Sequence, residues 1–382
     1  MYDVPHLRFP EFCGEWEKCK VSDLLDFYST NSLSWEQLEY DTNAMMSLHY
    51  GLIHVGLPTM ADLAKDRLPN IKEDNMPKNF ELCKEGDVAF ADASEDTNEV
   101  AKTIEFYNLA EKNVVCGLHT IHGRDNKYKT VVGFKGYAFS STAFHNQIRR
   151  IAQGTKIYSI STKNFSECYI GLPSKPEQTK IATLFRLIDE RISTQNKIIE
   201  KLQSLIKGLA AQLTQSGTPN VRLCDCLECH SSTLQENCVS ATGSYPVYGA
   251  TGLIGYTNGY AYNGESILIV KDGSGVGSLS YANDCYSVIG TLNYLTAKGK
   301  YSVLYLYYAL MAFNFTPYIT GMAIPHIYFK DYGKAKVFCP SIENQIRIAS
   351  LLHNIEQKLV VEQNLIISLS AQKSYLLRML FI

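Results

Sequence analysis

A long amphipathic segment occurs twice in this chain and constrains the fold more than any other feature. Residues 173–213 read PSKPEQTKIATLFRLIDERISTQNKIIEKLQSLIKGLAAQL, and residues 340–380 repeat the pattern as PSIENQIRIASLLHNIEQKLVVEQNLIISLSAQKSYLLRML. Matching residues recur at a constant offset of 340 − 173 = 167 residues, without a gap. Solenoid proteins repeat every 20–50 residues or so, roughly a third of this offset at most. The offset therefore indicates a duplicated unit, each copy made of a domain followed by a helix.

Both copies of this segment follow a heptad pattern. Apolar residues of the first copy recur in steps of three and four from Ile181 to Leu213, which is typical of coiled coils. Each helix would be roughly 55 Å long at 1.5 Å per residue. Because each apolar stripe needs a partner, we expect the two helices to pack as an antiparallel coiled coil. Polar Gln195, Glu362 and Lys373 either fix its register or lie solvated at its edge.

Composition places the chain among ordinary globular proteins. Its 382 residues allow two or three domains, with 46% hydrophobic and 19% charged residues. A net charge of −2 argues against binding polyanions by bulk positive charge alone. The longest apolar run, Val303 to Phe313, is too short to cross a bilayer and predicts a buried helix. No export signal precedes the eleven cysteines, so we expect reduced thiols, a cytoplasmic location and no membrane contact.

The duplication has a recognisable start, because Lys20-Val21 aligns with Arg222-Leu223. Each copy then contains a mixed region of strands and helices before its long helix. We therefore predict an α+β fold with pseudo-two-fold symmetry, which would present two similar but unequal domains to an asymmetric, bipartite site on B-DNA. The predicted segments are a first domain over residues 1–167, a helix over 168–216, a second domain over 217–337 and a helix over 338–382.

Local patterns predict several elements inside the two domains. Residues 48–57, 88–90, 114–121 and 266–270 are rich in β-formers and predict strands. Residues 137–152 carry apolar side chains on one face and predict a single helix. Gln178 and Gln345, with Ser174 and Ser341, are suited to capping the two long helices.

Polar side chains of the first domain are candidates for DNA contact. The acidic loop could accept hydrogen bonds from cytosine N4, or it could be a solvated turn. A nuclease site is disfavoured because the chain has no Pro-Asp dipeptide. The basic residues could bind phosphates, or they could mark an exposed helix end. The candidates are Asp92, Ser94, Glu95, Asp96, Thr97, His119, Thr120, Arg149, Arg150, Thr155 and Lys156, with Asp87 adjoining the acidic loop.

The second domain offers a parallel set. Residues 290–295 resemble residues 117–121 with one inserted residue, which matches His119 with Asn293, and the constant offset matches Ser159 with His326. The glycine-rich residues 273–277 lack the Gly-Lys-Ser/Thr ending of a phosphate loop. They predict a hairpin turn or a close backbone approach to DNA. The candidates are Tyr248, Thr251, Lys271, Asp272, Ser274, Asn293 and His326.

Neither catalytic residues nor a metal site is expected. The chain has no Pro-Pro dipeptide, so it lacks the Asn/Asp-Pro-Pro-aromatic tetrapeptide of adenine methyltransferases. A cysteine-rich stretch invites comparison with zinc sites, but its C-x-C-x₂-C spacing is not the paired C-x₂-C pattern. The first-copy counterparts also cannot bind zinc. That stretch contains Cys224, Cys226, Cys229, His230 and Cys238.

The ordered set of motifs resembles the DNA-specificity (S) subunits of type I restriction-modification systems over nearly the whole chain. The most specific sign is the P-x₄-Q-x₂-I-A opening of both helices. The other carriers are LRFPEFCGEWEKCKVSDLLDF, EGDVAFADASED, CGLHTI, GTKIYSIS, YPVYGATGLIGY, KDGSGVGS and GMAIPHIYF.

This resemblance implies that the two domains are target recognition domains. It implies that the helices are spacers that dock two modification (M) subunits, which hold S-adenosylmethionine and methylate adenine in double-stranded DNA. Restriction (R) subunits would add cleavage dependent on ATP and Mg, and this chain would carry no catalytic residue and no cofactor. A stand-alone methyltransferase or nuclease and a coiled-coil scaffold are the alternatives. One departure is Met322-Ala323, which replaces Thr155-Lys156. The expected docking residues are Gln178, Ile181, Leu184, Ile188, Gln345, Ile348, Leu351 and Ile355.

Overall fold

The computed structural model describes residues 4–42 and 44–382, and these fall into two compact units. One unit comprises the chain up to Thr194 together with Ile366–Ile382, and the other comprises Gln195–Leu365. Both long helices therefore contribute residues to each unit. The predicted four-segment division remains a prediction, and within its first segment residues 1–3 and 43 lie outside the described residues.

The first unit combines short strands with short helices ahead of a long helix. Its strands are β1 (Glu17–Lys20), β2 (Asp26–Tyr28), β3 (Leu38–Glu39), β4 (Met46–Leu48), β5 (Met60–Asp62), β6 (Asn70–Ile71), β7 (Val88–Ala91), β8 (Ala93–Ser94), β9 (Thr103–Asn108), β10 (Val114–Cys116), β11 (Thr120–Arg124), β12 (Tyr158–Ser159) and β13 (Tyr169–Leu172). Its helices are α1 (Val21–Leu24), α2 (Tyr50–His54), α3 (Lys135–Phe139), α4 (Thr142–Ile151) and α5 (Thr162–Ser166), followed by α6 (Lys175–Thr214).

The second unit follows the same plan. Its strands are β14 (Val221–Arg222), β15 (Leu227–Ser231), β16 (Tyr245–Gly249), β17 (Gly252–Thr257), β18 (Tyr262–Asn263), β19 (Ser266–Val270), β20 (Leu279–Ala282), β21 (Cys285–Val288), β22 (Leu292–Ala297) and β23 (Lys336–Val337). Its helices are α7 (Leu223–Cys226), α8 (Val303–Met311) and α9 (Phe329–Tyr332), followed by α10 (Ile342–Met379).

The two units repeat one sheet. In the first unit the order is β2-β11-β7-β9-β5, and in the second it is β15-β22-β19-β20. The first three strands of each sheet pair antiparallel in the same sequence. A smaller pair closes each repeat, β1 with β13 in one unit and β14 with β23 in the other. The predicted internal duplication is therefore present in the strand order as well as in the helices. A second sheet accompanies each, ordered β10-β4-β6-β3 in the first unit and β17-β16-β21-β18 in the second.

Three predicted elements were wrong in their details. Within residues 48–57, predicted as one strand, only Leu48 is in a strand, as the last residue of β4, and Tyr50–His54 form helix α2. His49 caps this helix, because its Nδ1 accepts from Gly51 N at 3.1 Å. The predicted helix over 137–152 is broken, because Ser141 caps a new helix by accepting from Phe144 N at 3.2 Å. Residues 114–121 form two strands separated by a turn. The strand over 266–270 is confirmed, with all five residues buried, and so is the buried helix at Val303.

The two glutamines at the starts of the long helices have the same role in both units. Gln178 Nε2 donates to Pro173 O at 2.9 Å, and its Oε1 accepts from Val131 N at 2.9 Å. Gln345 Nε2 donates to Pro340 O at 2.9 Å, and its Oε1 accepts from Ser302 N at 3.1 Å. These side chains therefore fasten each helix to the preceding segment and to its own domain. They do not accept from the free N–H groups of the first helical turn, so the capping prediction for the two glutamines was wrong.

The apolar stripe of α6 is turned into the two cores. Every predicted seam position from Ile181 to Leu213 is buried or half-buried. In the first unit Phe185 stacks against Phe381 at a centroid distance of 5.9 Å, and Asp189 pairs with Lys373. Contacts thus run in opposite directions along the two helices within that unit. No helix in the described part of the chain is long and apolar enough to cross a membrane.

In the second unit Gln195 and Glu362 form a buried polar pair. Gln195 is 1% exposed and Glu362 is 7% exposed. Gln195 Nε2 donates to the carboxylate of Glu362 and to its backbone oxygen, the latter at 3.3 Å. Lys358 also pairs with that carboxylate. Of the two predicted alternatives, the burial favours a role in fixing the register over solvation at the edge.

Replacing Gln195 by alanine is therefore expected to lower the free energy of unfolding by about 1–3 kcal/mol, because buried acceptors lose a donor. Gln203→Ala, on the exposed face of the same helix, is the matched control and should change it by no more than about 0.5 kcal/mol. Urea unfolding of the full chain, followed by circular dichroism, measures both. Equally small changes would support the solvated-edge alternative instead.

Candidate nucleic-acid interface

Three segments of the first unit meet at one end of its five-stranded sheet. They are the loop that follows β7, the turn that precedes β11, and a hairpin over residues 153–160. Asp92 N donates to His119 O at 3.1 Å, and Ile160 N donates to Asp92 O at 2.9 Å. Strand β8 pairs with β12, which places Ser94 opposite Tyr158. Residues that are distant in sequence and were predicted to contact DNA are therefore neighbours in space.

An Asp–His pair lies at the centre of this meeting point. Asp92 Oδ1 is 3.1 Å from His119 Nδ1, and the His119 side chain is 50% exposed. His119 has a left-handed backbone, with φ of 53°. The preceding Gly117 is required there, because a Cβ would lie 2.8 Å from Leu48 O. The turn therefore presents an imidazole and a carboxylate together at the protein surface.

The acidic loop is ordered by its own side chains. Asp96 Oδ1 accepts from Asn98 N at 2.9 Å, and Ser94 Oγ accepts from Asp96 N at 3.2 Å. Glu95 is exposed, whereas Thr97 is half-buried. Asp96 thus stabilises the turn itself, as the solvated-turn alternative predicts for that residue. Asp87 does not belong to this loop, because it precedes β7 and the loop follows it.

Basic side chains flank the loop. Arg149 Nη1 donates to Asn98 Oδ1 at 2.7 Å, so α4 touches the acidic loop directly. Arg150 and Lys156 are exposed, as is Thr155. Thr120, by contrast, is 5% exposed and donates to Gly117 O at 2.6 Å. Its side chain therefore belongs to the turn and is not available at the surface.

A row of adjoining aromatic rings beside this site was missed by the sequence reasoning. Trp35 lies 4.4 Å from His49, His49 lies 4.6 Å from Tyr50, and Tyr50 meets His119 edge-on at 5.3 Å, all between ring centroids. Trp35 is 46% exposed. Burial lowers the pKa of His49, and the nearby His119 lowers it further. The row escaped notice because residues 48–57 were assigned to a strand, which would have separated alternate side chains.

The second unit repeats the arrangement with other side chains. Lys271 N donates to Thr291 O at 3.0 Å, and Ile327 N donates to Lys271 O at 2.9 Å. Lys271 therefore occupies the place of Asp92, and Thr291 that of His119. Asp272 bridges to His326 across the adjoining hairpin, and Ser274 is exposed. The loop over residues 271–278 connects β19 with β20, so the predicted hairpin turn is confirmed.

The predicted match of His119 with Asn293 was wrong. Strand pairing sets Thr120 opposite Ala91 and Leu292 opposite Val270, which places Asn293 at the position after the turn residues. Asn293 is 7% exposed and accepts from Ser231 Oγ at 3.0 Å. In this register the two copies need no inserted residue, and the sequence match was displaced by two residues, 293 − 291.

The match of Ser159 with His326 holds, because both close the same hairpin. Ser159 exchanges backbone hydrogen bonds with Gln153, and His326 exchanges them with Thr320. Both hairpins turn at a glycine with positive φ, 142° at Gly154 and 89° at Gly321. The tip is Thr155-Lys156-Ile157 in the first unit and Met322-Ala323-Ile324 in the second, with exposed isoleucines in both. The basic side chain at the first tip has no counterpart at the second.

Two further candidates of the second unit lie on another sheet. Tyr248 is half-buried in β16 and meets Tyr286 edge-on at 6.0 Å. Thr251 is exposed at the turn between β16 and β17. Neither residue is part of the three-segment arrangement around Lys271.

The predicted docking residues of the long helices mostly face their own units. Gln178, Ile181 and Gln345 are buried, whereas Leu351 is 49% exposed. Leu184, Ile188, Ile348 and Ile355 are half-buried. Other apolar side chains of the helices are exposed and were not singled out from the sequence; they are Leu187, Leu205, Ile346, Val360, Val361 and Ile367.

The cysteine-rich stretch does not gather into a cluster. Cys226 is buried, Cys238 is exposed, and Cys224 and Cys229 are half-buried. Burial raises the pKa of Cys229 to about 11, which disfavours its thiolate. A different group could hold a metal ion. In the part of the chain that the structure describes, the donor atoms of Cys83, Cys116 and His122 all lie within 4.8 Å of one another.

The fold is similar to those of two solved chains from type I restriction-modification systems. The solved S subunit of a type I restriction-modification system from M. genitalium superposes with a TM-score of 0.64 at 18% identity, over 99% of both chains. A second solved chain comes from a structure that addresses complex assembly and conformational transition of the type I R-M system. It superposes with a TM-score of 0.56 at 15% identity, over 95% of this chain and 96% of that one. These likenesses show the fold.

Sequence relatives cover smaller parts. The chain is 27% identical over 112 residues to the type I restriction enzyme EcoprrI specificity subunit of Escherichia coli, which is 29% of this chain and 28% of that one. It is 30% identical over 138 residues to a putative type I specificity subunit of Mycoplasma pneumoniae, which is 34% of this chain and 43% of that one. The chain therefore matches less than half the length of these curated relatives.

A family model covers more of the chain than either relative. The model, described as the type I restriction modification DNA specificity domain, matches residues 67–204 and again residues 220–371. The two matches fall on the two repeats and together span most of the sequence. The chain therefore belongs to the type I restriction-modification DNA specificity domain family.

Proposed function

We propose that the chain is the DNA-specificity subunit of a type I restriction-modification complex, in which each repeat reads one half of an asymmetric, bipartite target. The observation that carries this proposal is the three-segment arrangement repeated in both units with unlike side chains. Asp92 and His119 occupy one copy, and Lys271 and Thr291 occupy the same places in the other. Equivalent positions with different donors and acceptors suit the reading of different base edges.

The side chains divide into two kinds of contact. Lys156 is an exposed cation in the hairpin of the first arrangement, and Arg149 contacts its acidic loop. Such residues bind phosphates and set the register on the duplex. Asp92 and His119 lie together at the surface beside the row of rings, and we expect them to reach base edges. A carboxylate reads a base edge rather than the backbone, because phosphates repel it.

The long helices have a second role in this proposal. We infer that α6 and α10 pair as one antiparallel coiled coil, which is supported by the opposed contacts within the first unit and by the Gln195–Glu362 pair in the second. Their exposed apolar side chains, including Leu187, Val361 and Ile367, would dock two M subunits. S-adenosylmethionine would belong to those subunits, and ATP and Mg to R subunits. The chain itself would be non-catalytic, and its cytoplasmic location stays a prediction.

Selection of bound duplexes from a random-sequence library tests the proposal. The full chain is used together with an M subunit from the same organism, and bound duplexes are sequenced. We expect two short, unlike sequence elements separated by a spacer of unread bases. Binding without sequence preference would favour the scaffold alternative, and methylation or cleavage by the purified chain alone would favour the stand-alone enzyme.

Lys156→Ala is expected to weaken binding of every duplex to a similar extent and leave the selected sequence unchanged. Loss of one phosphate contact should reduce the slope of log affinity against log salt by about 0.9. Lys84→Ala is the matched control, because Lys84 is exposed at the end of β7 opposite the Asp92 loop. Salt titrations of both variants measure the slope. An unchanged slope for Lys156→Ala would remove this residue from the interface.

A further inference from the structure

Two thiols and an imidazole lie together in the first unit, and the recognition function uses none of them. Cys83 Sγ and Cys116 Sγ are 3.6 Å apart. With a ring nitrogen of His122, all donor atoms lie within 4.8 Å of one another. Cys83 is 5% exposed, and Cys116 and His122 are each 1% exposed. The group is therefore enclosed and consists of donors that bind soft or borderline metal ions.

The imidazole is oriented as metal ligands usually are. His122 Nε2 is 2.7 Å from Asp87 Oδ2, while His122 Nδ1 is buried and has no hydrogen-bond partner. Arg124 holds the same carboxylate through Nε and Nη2, each at 2.8 Å. A metal-binding histidine typically donates its other ring N–H to a carboxylate, which fixes the tautomer and raises ligand basicity. A buried nitrogen without a partner costs free energy that an ion would recover.

The distances suit zinc. Zinc binds thiolate sulfur at about 2.3 Å and imidazole nitrogen at about 2.0–2.1 Å. Tetrahedral angles at those bond lengths separate two sulfurs by roughly 3.8 Å, close to the 3.6 Å between Cys83 and Cys116. We propose that Cys83, Cys116 and His122 bind one Zn²⁺ ion, with Asp87 as the positioning residue for His122. The fourth position is left to water or a small exogenous ligand.

This site would brace the turn that carries His119. Cys116 ends β10 and is followed directly by the turn, His122 lies in β11, and Cys83 lies just ahead of β7. An ion would therefore join the segments on both sides of the turn, at the end of β7 opposite the acidic loop. This consequence rests on the proposed function, whereas metal binding itself does not.

Metal titration of the full chain tests the site directly. After reduction and treatment with a chelator, we expect the chain to bind one Zn²⁺, and Co²⁺ to give thiolate-to-cobalt charge-transfer absorption. Cys83→Ser, Cys116→Ser and His122→Asn should each abolish stoichiometric binding. Asp87→Asn should weaken zinc affinity by about 10–100-fold and retain the cobalt absorption at saturating metal.

Cys339→Ser is the matched control. Cys339 is a buried cysteine of the second unit, and its variant should keep the ion. Absence of zinc binding by the wild-type chain would overturn the proposal, as would retention of the ion in both Cys83→Ser and Cys116→Ser.

Alkylation of the wild-type chain covers the case in which the variants fail to fold. Zinc should slow alkylation of Cys83 and Cys116, and a chelator should restore it. Alkylation that zinc does not change would overturn the proposal. So would protection that a reductant removes and a chelator does not, because it would identify a disulfide between the two cysteines.

Sequence selection with and without zinc separates the two proposals. If the ion braces the turn, removing it should weaken binding of the half-site read by the first repeat and spare the other half. Zinc binding with no selected sequence would contradict the proposed function and leave the metal site standing. Sequence selection by a chain that binds no zinc would contradict the metal site and support the proposed function.

Discussion

Glu105→Ala is expected to lower the free energy of unfolding by about 3–5 kcal/mol, because it leaves a buried ammonium without its counter-charge. Glu105 is fully buried and lies 2.9 Å from Lys135 Nζ, whose residue is 2% exposed. The same carboxylate accepts from Gly133 N at 2.9 Å and Gly136 N at 2.8 Å. It therefore holds the start of α3 against β9.

Urea unfolding of the full chain measures this change. Glu17→Ala is the matched control, because Glu17 pairs with Lys129 at 3.0 Å but its side chain is 62% exposed. An exposed ion pair contributes about 0–1 kcal/mol. Replacing both members as Glu105→Leu and Lys135→Met should recover part of the loss, since no unpaired charge remains. A loss for Glu105→Ala as small as that for Glu17→Ala would show that the buried pair does not stabilise the unit.

Exchanging residues 1–167 for those of a relative with a different target is expected to change one half of the selected DNA sequence. The other half and the spacer should stay the same, because Lys271, Asp272 and their hairpin are untouched. Discrimination at each changed position should be about 1–3 kcal/mol, as for a bidentate base contact. Sequencing of selected duplexes provides the measurement.

The reverse exchange, of residues 217–337, is the matched control and should change only the other half. Changes in both halves after either exchange would mean that the two repeats read DNA jointly. No change after either would place recognition outside the two domains.

The existence and approximate extent of the long helices could be predicted from the sequence. A repeat at constant offset and a heptad pattern with one early stutter predicted helical segments over 168–216 and 338–382, and the helices run Lys175–Thr214 and Ile342–Met379. The buried strand β19 was equally clear, because all five of its residues are apolar or small. In these segments local pattern and tertiary packing favour the same structure.

Helix α2 and the thiol–imidazole group could not be predicted in the same way. Residues 48–57 are rich in β-formers, and the cap of α2 is His49, which is not a usual capping residue. Cys83, Cys116 and His122 are brought together by antiparallel pairing of β7 with β11 and by a loop contact. Their spacing in sequence matches no metal motif. Such sites depend on strand register, which a single sequence does not determine.

The match of His119 with Asn293 failed for a related reason. A match between two short strands can be displaced by two residues and keep the same side chains on each face of the sheet. The strand pairing and the hydrogen bond from Lys271 N to Thr291 O decide which residue occupies the turn. The residue correspondence between the two repeats therefore had to come from the structure.

Mapping of N6-methyladenine across the genome of cells that carry this chain and its M subunit tests the central claim most directly. Two unlike readers in one chain predict a single methylated motif made of two different short elements, separated by a fixed number of unread bases. Methylation of a contiguous palindrome, or of a motif with identical halves, would contradict the account.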